Sequence, residues 1–239
     1  MATAQETIVA ALQALRVLGE GQQPTTARNQ YALRQLNSYI RQLAGFSGSL
    51  TFVNYRPDGN YELTTRWPAV RLQCMGGYTI TLPKGDGGVP VPDGMRVDIV
   101  DVAGTAAASN ITIARNGWKI NGSAADYTIN TNGASVGLMF RADLGDWKLV
   151  DDLALADALP FSEDFDEAIA LNLARRLTLY GQSLSRDDEK RADMGAKRIR
   201  ARYAKPPAAA FDAAISSIGG SYNRRATTGT LNDFLNGND

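Results

Sequence analysis

The sequence predicts an α+β protein in which an all-α core is interrupted by a β-rich module. Apolar residues recur at helical spacings near both ends of residues 1–205, whereas the polarity of residues 71–150 alternates as in β-strands. Three Asn-Gly dipeptides separate the alternating runs, and Asn-Gly favours tight turns because both central positions need positive φ. We expect a discontinuous helical core, residues 1–70 and 151–205, around an inserted antiparallel β-sandwich or barrel-like module, residues 71–150.

The composition is that of an ordinary folded protein without a global affinity for polyanions. The chain has 239 residues, 44% of them apolar and 21% charged, which suffices for a hydrophobic core. Because its formal net charge is zero, we expect no overall attraction to nucleic acid or to an anionic membrane. No run reaches the roughly 20 apolar residues of a membrane span, and the first residues lack the pattern of a signal peptide.

Two residue counts exclude whole classes of active site. The sequence contains no histidine, which excludes His-based catalytic triads and His-ligated metal sites. Its single cysteine, Cys74, cannot form an intrachain disulfide, which fits synthesis in a reducing cytoplasm. Because Cys74 lies in an apolar run, a buried thiol is favoured over a nucleophile. We therefore expect no enzyme activity, no metal and no cofactor.

Residues 1–45 predict two helices joined as a helical hairpin. Thr3 and Glu6 have the spacing of a capping box, in which each side chain accepts a hydrogen bond from the other residue's backbone N–H. Apolar residues at helical spacing follow this start signal. Residues 19–24 predict a turn, and the apolar stripe of the second helix ends at Gly45.

The next segment, residues 46–70, changes from helix-forming to strand-forming residues. Two runs rich in aromatic and β-branched residues flank the turn signal Pro57-Asp58-Gly59-Asn60, which predicts a β-hairpin near residues 50–66. Beyond it, residues 71–150 contain short alternating runs at close intervals. Strands spaced in this way predict a small sandwich or barrel.

Two further amphipathic helices are predicted between residues 151 and 205. Leu159-Pro160-Phe161 cannot lie inside a helix, so Ser162 is the expected N-cap of the first one. Ser185 and Asp188 have capping-box spacing for the second helix.

Charge is unevenly distributed along these two helices. Residues 151–167 contain seven acids and no base, whereas residues 186–205 contain eight bases against four acids. Solvated helix faces are one explanation. The alternative is a heterologous contact, in which the acidic side of one subunit meets the basic side of its neighbour, and such contacts build rings. The residues expected in this subunit–subunit contact are Glu163, Asp164, Asp166, Glu167, Arg191, Arg198 and Arg202.

Two helical motifs resemble those of the head-to-tail adaptors of short-tailed phages, the tail accessory factors that sit beneath the portal ring. One runs from Leu159-Pro160-Phe161 through an acidic cluster to Leu171-Asn172-Leu173-Ala174, and the other is Ala32-Leu33-Arg34-Gln35-Leu36-Asn37. The resemblance implies a structural virion protein, made in the host cytoplasm, that links the portal to the tail nozzle and fibres at the head–tail junction. It also implies a ring of twelve copies assembled on the portal, through which genomic DNA passes without specific binding.

Residues 71–150 are similar to a module that recurs in phage tail-fibre and tail-spike proteins. The similarity lies in Leu82-Pro83, in Asn110-Ile111-Thr112-Ile113-Ala114-Arg115-Asn116-Gly117, in residues 132–136 and in the closing Trp147. In fibres such a module is structural or contacts other proteins. A tail-fibre attachment protein, in which the helices only oligomerise, is therefore the alternative to the adaptor.

Residues 206–239 differ in composition from both parts. Pro206-Pro207-Ala208-Ala209-Ala210 predicts a semi-rigid linker, and the residues after it are typical either of disorder or of a tail that orders on binding. The resemblance implies an extended tail of the second kind, since the adaptors dock a C-terminal extension on the portal. The residues expected to contact the portal are Arg224, Arg225, Leu231, Phe234 and Leu235.

A polysaccharide-degrading tail hydrolase is a weaker alternative. Its two carboxylates would come from the acidic cluster of Glu163, Asp164, Asp166 and Glu167. These acids crowd a predicted helix N-terminus, where the helix dipole favours negative charge and would lower their pKa values rather than raise one for acid catalysis. Their position at the N-terminus of a helix explains these acids without a catalytic role.

Overall fold

The helices and strands of the computed structural model confirm the α+β class. The structure describes residues 2–45, 52–85, 90–177 and 182–203. These residues form four α-helices and ten β-strands, and the strands lie in two sheets. All of the described residues belong to one compact unit.

The first helix, α1 (Ala4–Ala14), starts where the sequence predicts. The Thr3 hydroxyl accepts a hydrogen bond from the Glu6 N–H at 3.2 Å, and the Glu6 carboxylate accepts one from the Thr3 N–H at 2.8 Å. These reciprocal bonds confirm the capping box and satisfy two N–H groups that a helix start otherwise leaves unpaired. The second helix, α2 (Thr26–Gly45), packs on α1.

Two more helices complete the helical part. A 3-10 turn (Glu163–Phe165) leads into α3 (Asp166–Arg176), and α4 (Arg186–Tyr203) follows it in the chain. α3 packs most extensively of the four, mainly against α1 and α4, so it lies at the centre of the helical core. The fully buried side chains of this core include Ile8, Leu12, Leu36, Ile40, Phe161, Ile169, Leu173 and Ile199.

The β module consists of ten strands. Their bounds are β1 (Val53–Tyr55), β2 (Tyr61–Glu62), β3 (Ala69–Cys74), β4 (Thr79–Thr81), β5 (Arg96–Asp101), β6 (Ile111–Ala114), β7 (Lys119–Ile120), β8 (Tyr127–Ile129), β9 (Ser135–Arg141) and β10 (Asp146–Leu149). The larger sheet has the order β1-β3-β5-β9-β10-β7, and the smaller one has the order β2-β4-β6-β8. Residues of both sheets form a second hydrophobic core, which includes Leu72, Ile80, Ile99, Ile113, Leu138 and Trp147.

The prediction of an antiparallel module is wrong, because both sheets are mixed. β1, β3 and β5 pair in parallel in the larger sheet, as do β2, β4 and β6 in the smaller one. The first six strands thus alternate between the sheets, and the chain coils from one sheet to the other. Antiparallel pairing enters with β9, between β5 and β10, and with β8, beside β6. Alternating polarity identifies a strand with one buried face, but it does not identify the neighbouring strand.

The predicted β-hairpin near residues 50–66 is wrong as well. β1 pairs in parallel with β3, whereas β2 pairs in parallel with β4. The turn between β1 and β2 is therefore a crossing between sheets and not a hairpin loop. Both strands extend the sheets of the β module, so its strands begin at Val53 rather than after residue 70.

The outer face of the larger sheet rests on the helical core. Met139 of β9 is buried within that core, and Leu149 of β10 packs against both cores. Within β10, Lys148 Nζ lies 2.7 Å from Asp146 Oδ2, and both side chains are buried. The helical part and the β module are therefore packed against each other over a sheet face.

Candidate interaction surfaces

The acids and bases expected to meet across a subunit contact lie side by side within one chain. The start of α3 packs against α4, where Arg191 Nη1 lies 3.4 Å from Glu167 Oε1. Arg202 Nη1 lies 4.0 Å from Asp164 Oδ2. These side chains are largely exposed, so each pair contributes at most about 1 kcal/mol. Part of the predicted charge complementarity is thus satisfied inside the chain, which leaves less of it for a neighbour.

Asp166 differs from its acidic neighbours because it is half-buried. Its carboxylate accepts a hydrogen bond from the Ala2 backbone N–H at 2.9 Å, and burial raises its pKa above the usual value. This carboxylate is thus bound to the chain's own N-terminal segment. Glu163, one turn earlier, is exposed.

A shallow hollow of about 200 Å³ between α3 and α4 gathers most of the predicted contact residues. Asp164, Glu167 and Arg198 lie on it, around the apolar side chains of Leu171 and Met194. Met194 is 58% exposed, more than any other large apolar side chain among the described residues. An exposed methionine surrounded by charged groups has the composition of a protein contact.

Gly195 allows α3 and α4 to approach each other closely beside this hollow. A Cβ atom on Gly195 would lie 2.2 Å from the Cβ of Ala168 and 3.3 Å from its Cα. Gly195 was not among the predicted contact residues. Its signal is a glycine inside a predicted helix, which costs about 1 kcal/mol relative to alanine and therefore points to a packing requirement.

The asparagines of the two Leu-Asn motifs bind backbone groups of other segments. Asn172 of α3 donates from Nδ2 to the carbonyl oxygens of Ala168 and Ala192, each at 2.8 Å. Asn37 of α2 donates to the Leu153 carbonyl at 3.1 Å and accepts from the Leu153 N–H at 2.9 Å. Asn172 thereby joins α3 to α4, and Asn37 joins the helical segments on the two sides of the β module.

A polar cleft of about 720 Å³ borders the larger sheet and reaches α2. At one end, called here the arginine end, Asp98 accepts hydrogen bonds from Arg96 Nε at 2.9 Å and from Arg71 Nη2 at 3.1 Å. The guanidinium carbons of Arg71 and Arg96 lie 5.1 Å and 5.3 Å from the centre of the Phe52 ring. Arg96 and Asp98 are buried, whereas Arg71 is half-exposed.

The other end of the cleft is closed by the helical part. Arg41 of α2 donates from Nε to Asp151 at 3.0 Å and from Nη2 to Asp152 at 3.4 Å. Gly137 of β9 lies next to Asp151, since a Cβ atom on this glycine would be 2.6 Å from Asp151 Oδ2. The sequence signal for this cleft is Arg96 and Asp98 beside the apolar residues of β5, and neither was among the predicted site residues.

Cys74 lies in the core of the β module. Cys74 is fully buried, and burial raises the pKa of its thiol to about 12, so the reactive thiolate does not form at neutral pH. Within the described ranges no group of three or more His, Cys, Asp or Glu side chains is placed to hold a metal ion. No helix in the described part of the chain is long and apolar enough to span a membrane.

The five residues expected to contact the portal lie outside the described residues; they are Arg224, Arg225, Leu231, Phe234 and Leu235. Their contact stays a prediction from the resemblance. No protein-family model matches the sequence, and no curated protein matches it significantly.

Proposed function

We propose that the protein is a head-to-tail adaptor subunit of a short-tailed phage, a structural virion protein that assembles as a ring on the portal. In this proposal α1 and α2 form the helical hairpin of the ring body, and the two sheets form a sandwich-like inserted module. The observation that carries the proposal is the pair of hydrogen bonds between Asn37 and the Leu153 backbone. Asn37 belongs to one resembling motif and Leu153 lies just before the other, so an interrupted adaptor core would be joined at this point.

The subunit contact is proposed at the hollow between α3 and α4. Met194 would supply apolar contact area, and Arg198 would supply a charge for the neighbouring subunit. The Glu167–Arg191 and Asp164–Arg202 pairs present both signs of charge beside it. A mixed surface of this kind suits a heterologous contact, and the number of copies, twelve, follows from the resemblance.

The remaining partners are assigned to the other parts of the chain. Residues 206–239 would bind the portal, and the β module would face the tail nozzle or the tail fibres. DNA would pass through the ring without specific binding. The zero net charge suits this role, because a tight grip on the phosphates would impede DNA passage.

Assembly on the purified portal of the source phage tests this proposal. Native mass spectrometry of portal mixed with the full chain should show about twelve added subunits per portal ring. Met194→Glu should lower that number by placing a charge in the contact, whereas Leu144→Glu, at another exposed apolar residue, should leave it unchanged. Removal of residues 206–239 should abolish binding without lowering the melting temperature. A full chain that does not bind the portal would contradict the proposal.

A tail-fibre attachment protein is the second candidate, and exposed aromatic residues on the β module favour it. Tyr55 and Trp67 are 43% and 42% exposed, and the Tyr55 ring lies 4.7 Å from that of Tyr61. Aromatic residues of this kind are enriched in protein contacts. Cross-linking mass spectrometry on virions separates the candidates. Links to the portal support the adaptor, whereas links to fibre proteins alone, lost in Trp67→Ala, support fibre attachment.

A further inference from the structure

The arginine end of the polar cleft has more positive charge than negative charge. Arg71 and Arg96 share a single carboxylate, that of Asp98, through one hydrogen bond each. Arg41 adds no further positive charge, because Asp151 and Asp152 both lie beside it at the other end of the cleft. Two guanidinium groups against one carboxylate leave one positive charge at the arginine end.

Hydrogen-bond donors also outnumber acceptors at the arginine end. Each guanidinium carries five N–H donors, whereas one carboxylate accepts about four hydrogen bonds. Arg96 is 5% exposed, and its Nη1 is buried without a hydrogen-bond partner in the described part of the chain. A buried donor without an acceptor is costly, so a native structure that keeps one calls for an explanation. An acceptor supplied by a ligand is such an explanation.

Phe52 makes this end suitable for a planar ligand. Its ring lies within 5.3 Å of both guanidinium carbons. An aromatic ring attracts a guanidinium group without using its N–H donors in ordinary hydrogen bonds. The in-plane N–H groups that do not bind Asp98 therefore stay available, and a planar group with two acceptor oxygens matches such donors.

We propose that the arginine end binds the carboxylate of an aspartate or glutamate side chain from a partner protein. The cleft, at about 720 Å³, has room for such a side chain with its flanking backbone. Asp98, Asp151 and Asp152 line the same cleft and would repel a ligand with many negative charges, such as a nucleic-acid backbone. A single carboxylate on an otherwise uncharged segment fits into the cleft and is not strongly repelled by these aspartates. This inference does not depend on the adaptor role, since it concerns a site within one subunit.

Nuclear magnetic resonance of the arginine Nε–Hε groups tests the site on the full chain. The probe is the blocked peptide acetyl-Gly-Glu-Gly-amide, and its matched control is acetyl-Gly-Gln-Gly-amide. The glutamate peptide should shift the signals of Arg71 and Arg96 and saturate at millimolar concentration, whereas the glutamine peptide should shift neither. Arg71→Gln should weaken the binding at least about tenfold, since one of the two guanidinium partners is lost. Arg66→Gln, at an exposed arginine outside the cleft, should bind as the unchanged protein does.

Three results would overturn the proposal. One is the absence of a shift with the glutamate peptide, and another is equal binding by Arg71→Gln. The third is inorganic phosphate binding at a lower concentration than the peptide, which would make this a general anion site. Arg71 is 47% exposed, so its replacement should not unfold the protein, and an unchanged melting temperature of both variants verifies this.

Discussion

At the scale of single residues, the polar side chains inside the helical core act as connections between elements. Asn172 is 8% exposed, and its amide nitrogen reaches one carbonyl within α3 and one in α4. In the sequence this residue belongs to the Leu-Asn-Leu-Ala motif, where its apolar neighbours suggest only a helix face. The contact with Ala192 explains why a polar residue occupies this position between two leucines.

Replacement of Asn172 by alanine should lower the free energy of unfolding by about 1–3 kcal/mol, because two hydrogen bonds and some packing are lost. Urea denaturation measures this change. Asn130→Ala is the matched control at an exposed asparagine, and it should change the stability by less than about 0.5 kcal/mol. Equal losses in the two variants would show that the Asn172 amide does not connect α3 to α4.

Cys74 gives the stability a defined dependence on pH. Burial raises the pKa of its thiol from the usual 9.0 to about 12 in the folded chain. Between these values the unfolded chain binds fewer protons than the folded chain, so the free energy of unfolding falls as the pH rises. This contribution is fully present below pH 9.0 and is lost progressively toward pH 12. Tyr39 acts in the same direction, but mainly above pH 10.0.

Between pH 9.0 and pH 10.0 Cys74 therefore contributes more to the decline than any one of the tyrosines does. In Cys74→Ala, the decline of the free energy of unfolding across this interval should be smaller than in the unchanged protein. Tyr39→Phe should reduce the decline in this interval less than Cys74→Ala does and should have its main effect at higher pH. Denaturant titrations at both pH values measure the slopes. Identical slopes in Cys74→Ala and the unchanged protein would refute the assigned cause.

At the scale of elements, local start signals were predictable and strand partners were not. Thr3 and Ser185 begin α1 and α4 as expected, because a capping bond joins residues only three positions apart. Ser162 precedes the 3-10 turn before α3, but its side chain makes no capping bond. At this helix start Phe161 and Phe165 are buried in the helical core.

The turns of the β module show the same limit of local reasoning. Asn116 and Asn121 have positive φ values of 50° and 49°, and the glycine after each is also positive, as the Asn-Gly signal predicts. The first of these turns nevertheless joins β6 to β7, which lie in different sheets. A turn signal specifies the local backbone but not the sheet to which the next strand belongs.

The arginine end of the cleft follows from pairings that the sequence does not reveal. Arg71 of β3 lies opposite Asp98 of β5 in a parallel pair. Under the predicted antiparallel arrangement the two residues would have no reason to meet. Sites that depend on strand register therefore had to come from the structure. Charge and helix position alone singled out Arg191 and Glu167, which pair within one chain, and their role in a subunit contact stays a prediction.

Gly195→Ala tests how closely α3 and α4 must approach. The added methyl group would meet Ala168 at 2.2 Å, so the helices must separate, and overpacking of this kind costs about 1–3 kcal/mol. The gain in helix propensity, about 1 kcal/mol, opposes this cost but should not cancel it. Thermal unfolding should therefore show a net loss of stability.

A second variant separates this packing effect from the helix propensity. Ala168→Gly combined with Gly195→Ala removes the opposing methyl group, so the double variant should recover part of the stability relative to the sum of the single changes. Strict additivity of the two changes would show that the close contact does not limit the packing of α3 on α4.

At the scale of the whole molecule, the β module is packed into the helical part and is not independent of it. Met139 of β9 lies in the helical core, Leu149 contacts both cores, and Asn37 holds the segment that follows β10. A deletion of residues 71–150 would remove parts of both cores, so surface substitutions are the better means of testing partners. Because the two cores share buried residues, disruption of the packing in one part should also lower the stability of the other.

We therefore expect the helical part and the β module to unfold together. All three tryptophans, Trp67, Trp118 and Trp147, lie in or beside the strands, so their fluorescence reports the β module. Far-ultraviolet circular dichroism reports mainly the helices, and the two signals should give the same urea midpoint. Met139→Ala should lower both midpoints together, with a loss of about 2–5 kcal/mol, because it removes buried contact between the cores. Met194→Ala, at an exposed methionine, should change neither. Two separate transitions would mean that the contact through Met139 does not couple the parts.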